Sequence, residues 1–232
     1  MEFCLVNGEA ATFLLEEECY SGVAKIAEKV CGDVELVTGI RPVTRRISKT
    51  YLDEQKESEY VVLVGTVGKS SVLEKLNGRV PLDKIRGKRE SFLFQIVDNG
   101  TKATLVIAGS DKRGTIYGLF HLSEYMGVSP WVHFSDVLPE KRKKLTLTEK
   151  DNMISREPSV KYRGFFINDE WPAFGSWTFE HFGGFTEEMY DLIFETLLRL
   201  KGNYLWPAMW TSSFSLDGPG DANAVSYTHL RA

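Results

Sequence analysis

The sequence lacks any run of about 18 consecutive apolar residues, which excludes a helical membrane span. It also lacks a targeting segment, since the start, MEFCLVNGEA, has neither the basic nor the apolar region of a secretory signal. We therefore expect a cytoplasmic protein, or a secreted one if a leader precedes these residues. With 232 residues, 43% of them hydrophobic, the chain can bury the core of one or two globular units.

Cysteine is scarce as well. The three cysteines, Cys4, Cys19 and Cys31, are odd in number and show no CxxC spacing. This pattern indicates neither a disulfide framework nor a zinc site, and it is typical of reduced thiols. The four histidines show no metal-ligand spacing either, so we expect no metal and no cofactor.

Positive charge is not in excess, because the formal net charge is −4. A mildly acidic chain does not favour contact with nucleic-acid phosphates, and the one basic run, KRKK at 141–144, is typical of a solvated surface. The segment VGTVGKSS at 64–71 resembles a phosphate-binding loop, but two residues separate Gly65 from Gly68 where that loop has four. We therefore predict no nucleic acid, nucleotide or membrane as a partner.

What the sequence does contain, over its first 150 residues, is an alternation of short apolar runs and helical patterns. This order predicts an α/β domain. Asp98-Asn99-Gly100 predicts a hairpin turn, because Asn-Gly tolerates positive φ angles. The other predicted elements are strands at 12–15, 34–37, 60–64 and 145–147 and helices at 21–30 and 113–126.

The composition changes near 139–160, where prolines, the basic run and polar residues indicate a linker. One βαβ unit is predicted after it. The apolar run GFFI at 164–167 favours a strand buried on both faces, as in a parallel sheet or barrel. The predicted order is a strand at 162–167, a long loop rich in Gly and aromatics, a helix at 186–200 and a strand at 204–209.

Polar residues directly follow the first strand of this unit: Asn168, Asp169 and Glu170. In parallel α/β architectures the carboxyl ends of strands carry the site. Trp206 and Trp210, on the next strand, would stack on a sugar ring while carboxylates bind its hydroxyls, which indicates a carbohydrate site. Alternatives stay open: the amide or the carboxylates could bond free backbone amides or be solvated, and the tryptophans could pack in the core.

Three stretches of the sequence closely resemble glycoside hydrolase family 115, the xylan α-1,2-glucuronidases, and the resemblance covers about residues 1–217. It implies an N-terminal α/β domain of the hexosaminidase domain 2 kind, which also precedes the barrel in family 20 and family 67 glycosidases. The first strand–helix–strand unit of a (β/α)8 TIM barrel would follow. The stretches are AGSDKRGTIYGLFHLSEYMGVSPW at 108–131, PSVKYRGFFINDEWPAF at 158–174 and FEHFGGFTEEMYDLIFETLLRLKGNYLWPAMW at 179–210.

The resemblance also implies a reaction. The family removes glucuronic acid, or its 4-O-methyl form, from xylan with inversion, so glucuronoxylan or a xylo-oligosaccharide is the expected substrate. Inversion needs a carboxylic acid and a carboxylate about 6.5–9.5 Å apart. FINDE resembles the pocket motif of the first barrel strand, which makes Asp169 the expected catalytic residue, positioning water or hydroxyls. Asn168, Glu170 and Trp210 are expected to bind substrate, and Arg163 resembles an arginine that holds sugar hydroxyls in family 20.

The chain departs from the family in its length. A barrel takes about 250 residues, so we expect an α/β domain at 1–155, a truncated start of the catalytic barrel at 156–217 and a non-native tail at 218–232. The chain alone is expected to be an inactive fragment, because the family's general acid and most uronate-binding residues come from later strands.

Two alternatives remain open at this stage. One is another glycosidase with the same pairing of domains, such as a family 67 glucuronidase or a hexosaminidase. The other is a non-enzymatic carbohydrate-binding module. The sequence does not reveal the oligomeric state, so a homodimer of the full-length parent stays open.

Overall fold

The computed structural model describes residues 1–51, 59–100, 102–210 and 212–214, and the chain forms two compact units. Unit 1 comprises Met1–Val132 with Val137–Pro158, and unit 2 comprises His133–Asp136 with the residues from Ser159 onward. The predicted domain limits at 155 and 217 stay predictions. The tail predicted at 218–232 lies outside the described residues.

Unit 1 is built on two β-sheets. Its strands are β1 (Glu2–Asn7), β2 (Glu9–Ala10), β3 (Thr12–Glu16), β4 (Thr44–Ile47), β5 (Val61–Thr66), β6 (Phe92–Asp98), β7 (Ala103–Gly109), β8 (Lys144–Thr148) and β9 (Met153–Ile154). The larger sheet has the order β4-β3-β5-β7-β6-β9, with the first four strands parallel and the last two pairings antiparallel. The smaller sheet, β2-β1-β8, is antiparallel.

Helices cover the larger sheet, which confirms the predicted α/β class. They are α1 (Ser21–Thr38), α2 (Ser71–Lys75) and α3 (Lys112–Tyr125), with short 3-10 turns at Leu82–Lys84 and Glu149–Asp151. Asp111 caps α3 by accepting a 2.7 Å hydrogen bond from the backbone N–H of Gly114. Among the residues described, no helix combines the length and the apolar character that crossing a membrane requires.

The predicted hairpin at Asp98-Asn99-Gly100 is confirmed. β6 and β7 pair antiparallel with Asp98 opposite Ala103, and Gly100 has a φ of 88°. The Asp98 side chain accepts a 2.8 Å bond from the Gly100 amide, and the Asn99 side chain accepts one from the Lys102 amide. These short-range bonds explain why the turn is predictable from four residues of sequence.

The helix predicted at 21–30 is present, but the strand predicted at 34–37 is wrong. α1 continues to Thr38, because Val34 and Val37 extend its buried face and are fully covered. Gly39, with a φ of 77°, then ends the helix, and its N–H donates to the Glu35 carbonyl at 2.7 Å. β-branched residues mislead here because tertiary burial outweighs their strand preference.

Cys31 lies on the buried face of α1 and is fully covered. Burial raises the pKa of the Cys31 thiol to about 12, with Glu28 and Asp33 adding to the rise and Arg41 opposing it. Because the folded pKa exceeds the unfolded value, the folded state retains a proton that the unfolded chain releases. The associated stability is therefore present below about pH 9 and lost as the pH rises toward 12.

We predict that Cys31→Val will flatten the alkaline stability profile. At pH 10 the wild type should have lost about 1.4 kcal/mol more than the variant, relative to each protein at pH 7. Urea unfolding followed by circular dichroism between pH 7 and pH 11 measures this difference directly. Parallel profiles for the two proteins would show that the thiol does not titrate as the structure indicates.

Unit 2 contains the predicted βαβ arrangement, which is confirmed. Its elements are β10 (Gly164–Phe166), α4 (Phe174–Phe182), α5 (Glu187–Arg199) and β11 (Tyr204–Trp206). β10 and β11 pair in parallel, with Gly164 opposite Tyr204 and Phe166 opposite Trp206. Thr186 caps α5 by accepting a bond from the Met189 amide, and the acidic first turn favours the start of a helix.

Two expectations for unit 2 are wrong. The stretch predicted as a long loop contains helix α4, whose glycines and aromatics hide the helical pattern. The GFFI run is not buried on both faces: Phe166 is 43% exposed, whereas Ile167 is buried. Both strands are also shorter than predicted, because only three residues of each pair with the other.

Candidate active site

The polar residues after β10 alternate between solvent and interior. Ile167 extends the strand pairing by one bond, since its N–H donates to the Trp206 carbonyl at 2.8 Å. Asn168 and Glu170 are exposed, and Asp169 between them is fully buried. The chain thus presents an amide and a carboxylate to solvent at the carboxyl end of the strand and turns the middle carboxylate inward.

The buried Asp169 carboxylate holds the segment that follows β11. Its oxygens accept hydrogen bonds from the backbone N–H of Trp210 at 3.2 and 3.0 Å and from that of Ser212 at 3.1 Å. The Ser212 hydroxyl lies 3.3 Å away. Charged acceptors form the stronger hydrogen bonds, so Asp169 ties the carboxyl ends of β10 and β11 together.

The two exposed neighbours are differently placed. The Asn168 carbonyl oxygen accepts a 3.1 Å bond from the Glu170 amide, which closes a local turn. Within the described part of the chain, the Glu170 carboxylate has no hydrogen-bond or ion-pair partner. The Glu170 carboxylate and the Asn168 side-chain amide are therefore available to sugar hydroxyls.

Exposed aromatic side chains lie on β11 and in the segment that follows it. Trp210 is 68% exposed and Trp206 is 49% exposed. The ring of Trp206 packs edge-on against Phe166 at 5.8 Å, and its indole N–H donates to the Met209 sulfur at 3.0 Å. Such apolar surface beside polar groups is typical of a ligand-binding edge.

Trp171 is a member of this surface that the sequence interpretation did not assign. Its indole is 52% exposed and lies 5.1 Å from the ring of Phe179 in α4. The sequence signal for Trp171 is its position directly after Asn168-Asp169-Glu170. The packing of its indole, however, depends on helix α4, which the sequence does not reveal.

Arg163 is not brought to this end of the strand. It precedes β10, and its guanidinium donates to the carbonyls of Lys201 at 3.0 Å and Val160 at 2.9 Å. Its backbone N–H donates to the Asn203 side chain at 2.9 Å. These contacts stabilise the opposite end of the strand pair, so a role of Arg163 in binding sugar hydroxyls stays a prediction without support from the geometry.

A buried ionic cluster stabilises helix α5. Glu195 and Arg199 are each 3% exposed, and the guanidinium contacts the Glu195 Oε1 at 2.8 Å through Nε and at 2.7 Å through Nη2. His133 Nε2 lies 2.8 Å from the same oxygen. Because α5 ends at Arg199 and Arg163 reaches the carbonyl of Lys201, this cluster lies toward the start of β10, away from Asp169.

The acidic residues that the structure describes near the ends of β10 and β11 do not form a cation site. In the described ranges, no three His, Cys, Asp or Glu side chains are grouped so that they could hold a metal ion. What the arrangement can do chemically is bind hydroxyl groups through Asn168 and Glu170 and cover a ring face with Trp210. These are the contacts that a saccharide requires.

Two family models match the chain. The one described as glycosyl hydrolase family 115 matches residues 155–230, a range that includes every site residue predicted from the sequence. The one described as glycosyl hydrolase family 67 N-terminus matches residues 24–122, within unit 1. A comparison with curated protein sequences found no match.

Solved structures resemble the chain over nearly all of its length. A family GH115 4-O-methyl-alpha-glucuronidase, BtGH115A, with specificity for decorated arabinogalactans, is 29% identical, with a TM-score of 0.83 over 98% of this chain and 29% of that one. A Streptomyces plicatus N-acetyl-beta-hexosaminidase is 11% identical, with a TM-score of 0.51 over 98% of this chain and 40% of that one. The second likeness is one of fold alone.

Both family models that match the chain describe glycoside hydrolases. Unit 1 matches the N-terminal domain model of one such family, and unit 2 presents exposed polar and aromatic side chains at the ends of its parallel strands. The particular resemblance predicted from the sequence, to glycoside hydrolase family 115, is confirmed by the family model and by the glucuronidase structure. The chain spans 29% of the length of that glucuronidase.

Proposed function

We propose that this chain contributes the first corner of the catalytic pocket to a glycoside hydrolase that removes glucuronic acid, or its 4-O-methyl form, from xylan by inverting hydrolysis. The observation that carries the proposal is the match to a 4-O-methyl-alpha-glucuronidase over 98% of the chain. The exposed polar and aromatic groups at the carboxyl ends of β10 and β11 support it independently, because they suit a sugar ring.

Within this pocket the exposed residues are proposed to contact substrate. Asn168 and Glu170 would bind sugar hydroxyls, since their polar atoms face solvent at the strand end. Trp210 would cover the apolar face of the ring, because its indole is 68% exposed beside them. Inverting hydrolysis also needs a second carboxyl group about 6.5–9.5 Å from the first.

Asp169 has a different role in this proposal. Its carboxylate is fully buried and is bonded to the amides of Trp210 and Ser212, so it positions the segment that carries Trp210. Its assignment as the catalytic residue stays a prediction. The buried geometry supports a positioning residue, which acts through Trp210 instead of touching the reacting atoms.

We also propose that the chain alone does not catalyse the reaction. It corresponds to 29% of the glucuronidase that it matches, and the remaining walls of a barrel pocket would come from residues outside it. The intact pocket can be restored in a chimera, in which this chain replaces the matching part of BtGH115A.

The chimera is expected to release glucuronic acid or its 4-O-methyl form from glucuronoxylan, and the isolated chain is expected to release neither. Product analysis by anion-exchange chromatography, with decorated arabinogalactan and an N-acetyl-glucosaminide as parallel substrates, makes the comparison. Release from arabinogalactan alone would contradict the xylan assignment. A folded chimera that cleaves only the glucosaminide, or nothing, would contradict the glucuronidase itself.

A further inference from the structure

Two loops of unit 1 and the start of helix α3 meet at the ring of Tyr20. Tyr20 follows strand β3, Lys69 follows β5 and Lys112 follows β7, and all three strands are parallel. The ammonium groups of Lys69 and Lys112 lie 5.1 and 6.0 Å from the centre of the Tyr20 ring. This surface, the Tyr20 edge, is formed by Tyr20, Lys69 and Lys112, the last of which is the first residue of α3.

The Tyr20 edge has the position at which open α/β sheets bind ligands. Successive strands β3 and β4 are neighbours, but the next strand, β5, adds on the other side of β3. The direction of strand addition therefore reverses between β3 and β5, and ligands bind outside the carboxyl ends of strands at such a reversal. A small crevice opens there, lined in part by Cys19, Thr66 and Lys69.

Among the residues that the structure describes, no carboxylate pairs with the buried ammonium group of Lys112. The residue is 8% exposed, and in the described portion of the chain its ammonium makes no hydrogen bond and no ion pair, only the distant contact with Tyr20. Burial lowers the pKa of Lys112 to about 8, and the charge of Arg113 acts in the same direction. Burying a charge without a partner is costly, so an anion at this position would be strongly favoured.

The acidic residues at the strand ends already accept hydrogen bonds from backbone amides. Glu16, 5% exposed, accepts bonds from the amides of Ser71 at 3.1 Å and Val72 at 3.3 Å. Asp111 accepts bonds from the amides of Gly114 at 2.7 Å and Glu90 at 2.9 Å.

Two more acids lie in the loop after β3. Glu18 pairs with Lys49 at 3.0 Å, and Glu17 is exposed. The carboxylate of Glu90, which precedes β6, pairs with Arg113 of helix α3 at 2.5 Å. No carboxylate of these loops contacts the Lys112 ammonium within the described residues.

We propose that the Tyr20 edge is a binding site for an oxyanion, a carboxylate or phosphate group such as those of sugar acids and sugar phosphates, held between Lys69 and Lys112. Two ammonium groups near one ring favour an anion over a neutral sugar ring. The site lies within unit 1 and does not depend on the function proposed for unit 2.

Calorimetric titration of the full chain with inorganic phosphate and, separately, with sodium glucuronate tests the proposal, with glucose as the neutral comparison. Wild type is expected to bind at least one anion at a single site and not to bind glucose. Lys112→Met and Lys69→Met should each weaken the affinity at least tenfold. Lys88→Met, which changes an exposed lysine elsewhere in unit 1, should leave it unchanged.

Phosphate binding without glucuronate binding would assign the site to phosphate compounds, and the reverse would assign it to sugar acids. The proposal is overturned if wild type binds neither anion, or if Lys88→Met weakens binding as much as the other two variants. Thermal unfolding provides a second readout. The melting temperature of wild type should rise by about 2–4 °C in saturating anion. That of Lys112→Met should not rise.

Lys112→Met should also melt no lower than wild type without anion, because it removes a buried unpaired charge. A lower melting temperature, together with no gain by wild type in anion, would show a purely structural lysine. If Lys112→Met does not fold, Lys69→Met, which changes an exposed residue, is the variant to use. Unchanged anion affinity in Lys69→Met would then contradict the proposed anion site.

Discussion

Replacing Asp169 by alanine is expected to lower the free energy of unfolding of unit 2 by about 3–5 kcal/mol. The substitution leaves the backbone N–H groups of Trp210 and Ser212 without the charged acceptor that they have at 3.0 and 3.1 Å. Hydrogen bonds to charged groups contribute about 1.5–3 kcal/mol each, and both are lost together. The segment that carries Trp210 should then detach from the end of β10.

Two measurements check this expectation. Four of the five tryptophans lie in unit 2, so urea unfolding followed by tryptophan fluorescence reports mainly on that unit. Hydrogen exchange at the amides of Trp210 and Ser212 reports on the segment itself. Glu170→Ala is the matched control, because it removes a neighbouring carboxylate that is exposed, and it should change stability by less than about 0.5 kcal/mol.

Asp169→Asn gives a finer comparison, because it keeps the shape of the side chain and one acceptor oxygen. It should fall between wild type and Asp169→Ala in both measurements. If the two amides exchange at the wild-type rate in Asp169→Ala, the proposed link between the strand ends does not exist. Asp169 would then be a candidate for direct catalysis again.

Replacing Arg199 by methionine should have the second large effect and lower the free energy of unfolding by about 3–5 kcal/mol. Methionine fills similar volume, so the loss would come from Glu195, which is 3% exposed and would lose the guanidinium that contacts its Oε1 at 2.7 and 2.8 Å. A buried carboxylate without its counter-charge is among the most destabilising changes in a protein.

The double variant Glu195→Leu with Arg199→Met distinguishes this explanation from lost packing. Removing both charges removes the desolvation cost as well, so the double variant should be more stable than Arg199→Met alone. Urea unfolding of the four proteins completes the double-mutant cycle. Additive losses would show that the two side chains contribute separately and that the ion pair is not the source of the effect.

Short-range chemistry explains which parts of the fold could be predicted from the sequence. The turn at Asp98-Asn99-Gly100 is closed by side chains within four residues of one another, and the start of α5 is fixed by its Thr186 cap. The end of α1 was missed because the burial of Val34 and Val37 depends on the rest of unit 1. Local propensity cannot report such tertiary burial.

In the candidate site, too, short-range features could be predicted from the sequence and features that depend on tertiary contacts could not. The sequence placed Asn168, Asp169 and Trp210 at neighbouring strand ends, and the structure brings them together. It could not show that Asp169 faces inward, because that depends on amides 41 and 43 residues further along the chain. Lys112 carries no signal in the sequence for a related reason, since only the assembled sheet brings it beside Tyr20.

The central claim is that the carboxyl ends of β10 and β11 form a corner of a glucuronate-cleaving pocket. The most direct test is the kcat/KM of the chimera for glucuronoxylan with Trp210→Ala, compared with Trp131→Ala, which removes another exposed indole from unit 1. We predict a loss of at least about tenfold for Trp210→Ala, equivalent to about 1.4 kcal/mol of transition-state stabilisation, and less than about twofold for Trp131→Ala. Equal rates for the two variants would contradict the account.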